Sequence, residues 1–241
     1  MFRRQLAPMR DPSIGDRVTV RSDASLSQSA YELLEEAIVT QQVAPGSSVS
    51  EAQLSELIGM SRMPTREAVR RLARENLLEV RPKCGITIRL IDPNVQLRLL
   101  ETRREVERLM VRLIARECDA AAKATLRALS ADFETAAIRS DVLLFVHADK
   151  SFNELCLSIC GNEFVVGAMR LMQGPSRRFW FQRSRDAEIL VESATLHAAL
   201  AAAIASGDPD AAAHASDRLL DSAERFARRA IEETGDALSV R

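Results

Sequence analysis

The sequence predicts a mainly α fold, an N-terminal winged helix-turn-helix (three helices plus a β-hairpin wing) joined to an all-α bundle of six or seven helices. Three observations carry that reading. Alanine and leucine are abundant while only 10 of the 241 residues are aromatic (8 Phe, 1 Trp, 1 Tyr), a composition that favours helices over sheets. Between 27 and 91 two helical patterns, a third helix and two short β-like runs follow one another around turn residues. From 94 to about 233 nearly every segment has helical period. The length suits one large or two modest domains, and 46% apolar residues suffice for a buried core.

In the N-terminal part, residues 1–26 hold Pro8, Pro12 and Gly15 without a sustained period and read as a flexible arm. Five arginines against three aspartates give that arm a charge of +2. From Ser27, Tyr31, Leu34 and Ile38 recur at helical spacing through Gln41. Ala44-Pro45-Gly46 is a turn, with Val49 an apolar anchor after it. Ser50 is placed to cap a short second helix carrying Leu54, Leu57 and Ile58, which Gly59 ends. Ser61 opens the third helix, with Pro64 in its first turn, where a missing N–H is harmless. Residues 77–81 and 86–90 are the two β-like runs, flanking Pro82-Lys83-Cys84-Gly85.

Beyond Asp92-Pro93 the breaks at Asp141, Gly161-Asn162, Gly174-Pro175 and Gly207-Asp208-Pro209 divide the chain into helices over about 94–116, 120–139, 141–160, 162–173, 175–184, 187–206 and 209–232. Proline inside a helix loses a hydrogen bond and clashes with the preceding turn, so a kink or restart is expected at Pro175. The expected domains are 27–91 and 92–234, with a tail over 235–241.

Charge narrows the function classes. Lys and Arg number 33 against 34 Asp and Glu, which excludes a polycation that coats nucleic acid by bulk charge. Four cysteines (Cys84, Cys118, Cys156, Cys160) make neither a disulfide framework nor a zinc ribbon. No apolar run approaches the roughly 20 residues of a membrane span, and the N-terminus lacks a signal-peptide core. The expectation is a cytoplasmic protein without membrane association.

Local charge is more telling. The third helix carries Arg62, Arg66, Arg70, Arg71 and Arg74, and Arg62, Arg66 and Arg70, four apart, share one face opposite Ala68, Val69 and Leu72. An arginine face on the second helix of a helix-turn-helix suits the major groove, where guanidinium pairs with guanine or clamps phosphate. Ser61 and Thr65 add hydroxyls at the helix N-terminus, where the dipole favours an anion, and Lys83 and Gly85 sit at the wing tip. The alternative is a solvated, arginine-rich surface helix. Residues 1–90 hold 13 basic and 11 acidic side chains, a net +2, so recognition would be local.

The stretch Ala44-Pro-Gly-Ser-Ser-Val-Ser-Glu-Ala-Gln-Leu-Ser-Glu-Leu-Ile-Gly-Met-Ser-Arg-Met-Pro-Thr-Arg-Glu-Ala-Val-Arg-Arg-Leu, continued by Glu75-Asn-Leu-Leu and Gly85, resembles the N-terminal signature of GntR-type transcription regulators. Arg103-Arg-Glu-Val-Glu107, Asp149-Lys-Ser-Phe-Asn153, Gly161-Asn162, Leu196-His197 and Gly207-Asp208-Pro209 resemble the FCD ligand-sensing domain of the FadR-like branch. The resemblance covers about 27–232. It implies a homodimeric, one-component repressor or activator, read here as a repressor, whose bundle binds a small metabolite, commonly a carboxylic acid, and alters the grip of two winged heads on a palindromic double-stranded operator.

Many members of that branch hold a divalent metal (zinc, nickel or manganese) with one aspartate and three histidines. Carried over, the aspartate falls on Asp149, the first histidine position on Asn153, the second on His197, and the third on or next to Leu219. Asparagine is a poor ligand for zinc or nickel and leucine is none. His147 lies about 200° around the helix from Asp149 and points away, and His214 is off the face of Leu219. Asp149 and His197 thus remain the only metal candidates, and a degenerate site is expected, with no firm cofactor.

Cys156 and Cys160 continue the stripe of Asp149 and Asn153. They read as small core side chains beside a polar pocket floor, with a repurposed ligand or redox thiol as the alternative. The expected effector contacts are Arg103, Asp149, Asn153, Cys156 and His197. Arg103 is matched by an alternative, an i,i+4 ion pair with Glu107, and His197 by a hydrogen-bonded core histidine. Arg177, Arg178 and Arg183, set among Phe179, Trp180 and Phe181, are either a cationic, aromatic wall or, more simply, a helix with one solvated face. The expectation is a ligand-responsive regulator and not an enzyme. The alternatives are a metal-dependent helical-bundle enzyme fused to a DNA-binding head, and an architectural DNA-binding dimer with a vestigial pocket.

Overall fold

The computed structural model describes residues 23–81, 85–183 and 186–239. The chain begins with α1 (Asp23–Val39), earlier than the expected start at Ser27, so the described helix reaches into the 1–26 arm, of which residues 1–22 lie outside the described part. A two-residue strand β1 (Ser48–Val49), α2 (Glu51–Ile58), α3 (Arg62–Arg74) and the wing strands β2 (Leu78–Arg81) and β3 (Gly85–Ile88) complete the head. The sheet order is β1-β3-β2, antiparallel throughout, with Arg81 opposite Gly85 at the wing end.

Local chemistry sets these boundaries. The Ser50 Oγ accepts the Gln53 N–H at 3.2 Å while Gln53 Oε1 accepts the Ser50 N–H at 2.8 Å, a reciprocal capping box that starts α2. Gly59 ends it at φ +65°, a left-handed conformation that only glycine adopts without strain. Ala68, Val69 and Leu72 form the buried stripe of α3, meeting Leu34, Ile38, Leu54 and Ile88 in the head's own core. Val49, expected as an isolated anchor, is recruited as a strand because β3 offers its free edge.

The bundle follows as α4 (Pro93–Glu117), α5 (Ala120–Arg139), α6 (Val142–Ile159), α7 (Glu163–Arg183), α8 (Ala187–Ser206) and α9 (Pro209–Ser239). Asp92, Asp119, Asp141 and Asp186 each cap the helix they precede through a side-chain oxygen. A second core gathers around Phe133, with Ile114, Leu126, Met169, Leu200 and Ile204. The last helix runs through most of the expected 235–241 tail, of which 240 and 241 lie outside the described residues.

Two expectations need correction. The helix break at Gly174-Pro175 does not occur, because α7 continues through Pro175 as one helix. Gly174 marks the crossing of α7 over the head, where an added Cβ would lie 2.8 Å from Leu77 Cδ1. Packing on both sides of Pro175, including buried Ser176, Arg178 and Phe179, offsets the missing hydrogen bond. The expectation that no apolar run reaches membrane-spanning length also fails, since α8 passes by length and composition. Its Leu190, Ala194, Leu200, Ala201 and Ile204 are instead buried within the bundle core.

Candidate functional site

The face of α3 is the first candidate. Ser61, Arg62, Arg66 and Arg70 are exposed, and the N-cap Ser61 spends no side-chain hydrogen bond on the helix. Arg66 and Arg70 are held by nearby acids: Arg66 Nη2 lies 3.0 Å from Glu51 Oε2 with Nε at 3.1 Å, and Arg70 Nη1 lies 3.0 Å from Glu67 Oε1. Hydrogen bonding and charge from Glu51 raise the Arg66 pKa, so it is a permanent cation.

Thr65 departs from its expected role. It is fully buried and its hydroxyl donates to the Ser61 carbonyl at 2.9 Å, so it packs beneath the arginine face instead of contributing to it. Arg71, one position round from Arg70, stacks 3.5 Å above the Tyr31 ring and pairs with Glu75, fastening α3 to α1. Burial, with Glu35 and Glu75 nearby, pushes the Tyr31 phenol well up, and its hydroxyl donates to Glu75 at 2.8 Å. Gly85, at φ +88°, starts β3 next to the wing tip; a side chain there would press on the Val49 carbonyl at 3.2 Å. Lys83 lies outside the described residues.

The second candidate is a cavity of about 90 Å³ in the bundle, closed on one side by Val39 at the end of α1, and smaller than the roughly 150 Å³ apolar cavity that takes up benzene. Arg103, Asp149, Asn153 and His197 line it, drawn from α4, α6 and α8. Cys156 does not. It is fully buried in the core, near Cys118 and Cys160, and burial followed by the charge of Glu107 pushes its thiol pKa well up, so it is inert there.

Asp149 is the centre of the polar end. Its Oδ2 accepts Arg177 Nε at 2.8 Å, its Oδ1 accepts Asn153 Nδ2 at 2.9 Å, and His197 Nε2 lies 3.5 Å from Oδ1. Burial by itself raises this carboxyl, but the His197 hydrogen bond and the charges of Arg177, His197 and Arg103 outweigh it and leave the pKa below the usual carboxylate value. Asn153 Oδ1 in turn accepts Gln173 Nε2 at 3.0 Å. The second ring nitrogen of His197, Nδ1, lies 2.7 Å from the Ser193 carbonyl, which fixes the ring plane.

The apolar end is aromatic. Phe145 and Trp180 lie with ring centroids 4.1 Å apart, Trp180 Nε1 donates to Ser193 Oγ at 2.8 Å, and Phe133 and Phe145 each sit 5.1 Å from the His197 ring. Arg103 lines the cavity and also makes the ion pair named as its alternative, Nε to Glu107 Oε2 at 2.5 Å. The ion pair therefore leaves Arg103 in the cavity wall.

The donor set does not fit the metal that the resemblance implies. A guanidinium already sits on the one carboxylate, Asn153 and Leu219 stand where two ligands belong, and among the described residues no three His, Cys, Asp or Glu side chains gather in ligating geometry.

Gln173 was not among the expected contacts, and Arg177 and Trp180 figured only in the cationic, aromatic wall that was set second to a solvated face. The expectation of a solvated face over 177–183 fails because α7 is covered on opposite sides. Arg177 turns into the cavity, while Arg178, 3% exposed, donates to the Leu77 and Leu90 carbonyls of the head at 3.2 and 3.3 Å. Burial and then Arg89 lower its pKa to about 10. The signal available in sequence was the mixture of arginines and aromatics on one helix, which does not reveal which flank is covered.

The family model for bacterial regulatory proteins of the gntR family matches residues 26–88, and that for the FCD domain matches 98–222. The chain belongs to the GntR family, with an FCD domain. Members are DNA-binding regulators and not enzymes, which sets aside the metal-dependent enzyme. An HTH-type transcriptional regulator of Agrobacterium vitis is 32% identical over 144 residues, 58% of this chain and 82% of that protein. Another from Streptomyces ambofaciens is 40% identical over 63 residues, so the match spans only 27% of that relative's length. Among solved structures, E. coli McbR/YncC matches with a TM-score of 0.69 at 20% identity, covering 86% of this chain and 99% of that one. At that identity the likeness shows the fold alone. In this GntR-family regulator the arginine face and the cavity therefore lie in the head and the FCD bundle, respectively.

Proposed function

We propose that this GntR-family regulator is a cytoplasmic, ligand-responsive transcriptional repressor that binds a palindromic operator as a homodimer. The division of labour follows 27–91 for DNA binding and 92–234 for effector binding and dimerisation. Arg62, Arg66 and Arg70 enter the major groove, Ser61 meets phosphate at the α3 N-terminus, and the wing around Lys83 and Gly85 reaches the adjoining groove. A small carboxylate enters the bundle cavity and changes operator affinity.

One observation supports the effector reading above the rest. A small cavity brings Asp149, Asn153, His197 and two arginines, Arg103 and Arg177, together beside the Phe145–Trp180 pair. Convergent polar groups on an apolar wall are the usual form of a small-molecule site. The carboxylate reading rests on the two arginine forks, which match a carboxylate bidentately.

The test selects an operator from random duplexes with the purified full chain and measures its affinity with and without a panel of short carboxylic acids. A carboxylate that shifts operator affinity at least fivefold, with the shift lost in His197→Ala, supports the reading. A selected operator indifferent to every small molecule that stabilises the bundle would leave the architectural dimer as the better account.

A further inference from the structure

We propose that Arg177 couples the cavity to the DNA-binding head, because its single guanidinium is shared between Asp149 in the cavity wall and Glu35 on α1 of the head. The proposal rests on the reading of the cavity as the effector site and names how that site is heard.

The geometry is a three-way grip. Nε of Arg177 donates to Asp149 Oδ2 at 2.8 Å, Nη1 donates to Glu35 Oε1, and Nη2 donates to the Val146 carbonyl at 3.3 Å. The side chains of Arg177, Asp149 and Glu35 are 9%, 10% and 6% exposed, so water screens these pairs little. A second opening of about 360 Å³ lies between α1 and helices α6 and α7, with Tyr31, Glu35 and Lys150 on its walls. Asn153, Gln173 and Arg177 line both openings. The partition between cavity and interdomain crevice is therefore one layer of side chains thick.

Charge counting sets the direction. Arg103, Arg177 and Lys150 face Glu107, Asp149 and Glu35, three cations for three anions, with Lys150 Nζ 3.9 Å from Glu35 Oε2. A carboxylate entering beside Arg177 makes four anions for the same three cations in a poorly screened place. Asp149 keeps Asn153 and His197 as partners, whereas Glu35 keeps, among the described residues, the distant Lys150. Glu35 is the acid that loses Arg177, and α1 loses a tie to α7. Shared and captured are two discrete arrangements of one side chain, the minimum that coupling between sites requires.

Trp180, the chain's one tryptophan, lines the cavity, while Glu35 does not. Quenching of Trp180 fluorescence by acrylamide thus reads the cavity, and amide hydrogen exchange of α1 ahead of Val39, the one α1 residue on the cavity wall, reads the head, in the full chain without DNA or effector. Glu35→Gln raises the Trp180 quenching constant about twofold, and Asp149→Asn speeds exchange in α1 about tenfold, each acting across the domain boundary. In an Arg177→Lys background, which keeps the charge but not the fork, neither substitution has a further effect. If that background fails to fold, the Glu35→Gln/Asp149→Asn double variant serves, its effects matching those of one substitution rather than their sum.

Unchanged quenching in folded Glu35→Gln, or exchange changes confined to α6 and α7 in Asp149→Asn, overturns the coupling. So does full additivity. Since the measurement contains no operator and no ligand, its failure leaves the effector reading intact, and an operator insensitive to carboxylates leaves the coupling intact.

Discussion

The arginine face of α3 and the Asp149–Arg177 cluster use the same chemistry, guanidinium against carboxylate, under opposite conditions. Arg66 and Arg70 are 48% and 65% exposed, and each leans on an acid that water also solvates. Arg177 and Asp149 are nearly enclosed and carry several further bonds to Glu35, Val146 and Asn153. An exposed pair is cheap to exchange for a phosphate or a base edge, which suits a surface that must let go of its own acids to hold DNA. A buried pair is expensive to break from one side, because the remaining charge has no water to turn to. On the proposed reading, the head's DNA-binding arginines are ones that stability does not depend on, whereas the bundle's polar centre serves stability and effector binding together.

That contrast is open to test, beginning with its largest consequence. Arg177→Ala leaves Asp149 and Glu35 as buried, unpaired acids and should cost about 3–5 kcal/mol in urea unfolding of the full chain. A loss no greater than that of an average surface substitution would show the cluster to be as solvated as α3. Arg66→Ala is the counterpart on the exposed side. It should reduce affinity for the selected operator about 10–100-fold while the urea midpoint stays put. A shifted midpoint would mean that the Arg66–Glu51 pair holds the head together.

Salt sharpens the comparison further. Operator binding should weaken along a log–log line whose slope falls by about one when Arg70→Ala removes a phosphate contact, and bundle stability should be nearly indifferent to the same salt range. The smallest expected effect is on acid stability. The folded-state pKa of Asp149 is lowered, so its ionised form contributes stability that is fully present above the unfolded value of about 3.9 and is lost as the pH falls through the lower folded value. Asp149→Asn should flatten the stability profile below about pH 4 relative to the parent and leave the profile above it parallel. Equal slopes below pH 4 would place the acid sensitivity elsewhere.

Much of the fold could be read in advance, and the reasons are local. Ser50 and Gln53 announce α2 because a capping box is satisfied within four residues. Aspartates at 92, 119, 141 and 186 announce four bundle helices in the same way. The exposed Arg62, Arg66 and Arg70 follow from helical period alone. Where local rules and packing disagreed, packing prevailed: Pro175 does not interrupt α7, and Thr65, a polar residue in a first turn, is buried.

At the cavity the divide is sharper. Asp149, Asn153, His197 and Arg103 were identifiable because they fall at positions matched to the family, while the glutamate one turn after Arg103 offered a competing partner. Cys156 shares the stripe of Asp149 but not its surroundings, since a helix face a few residues long can pass from a cavity wall into a core. The sequence by itself determined which segments become helices, which arginines share a face and that two ligating positions are lost. Those properties depend on neighbours within a turn or two. Only the tertiary structure decided that Arg177 joins Asp149 to Glu35, which precedes Arg177 by 142 residues in the chain, while adjacent Arg178 ties α7 to the head. Consecutive residues on a helix point about 100° apart, and what each meets there is set by which other elements pack against that side.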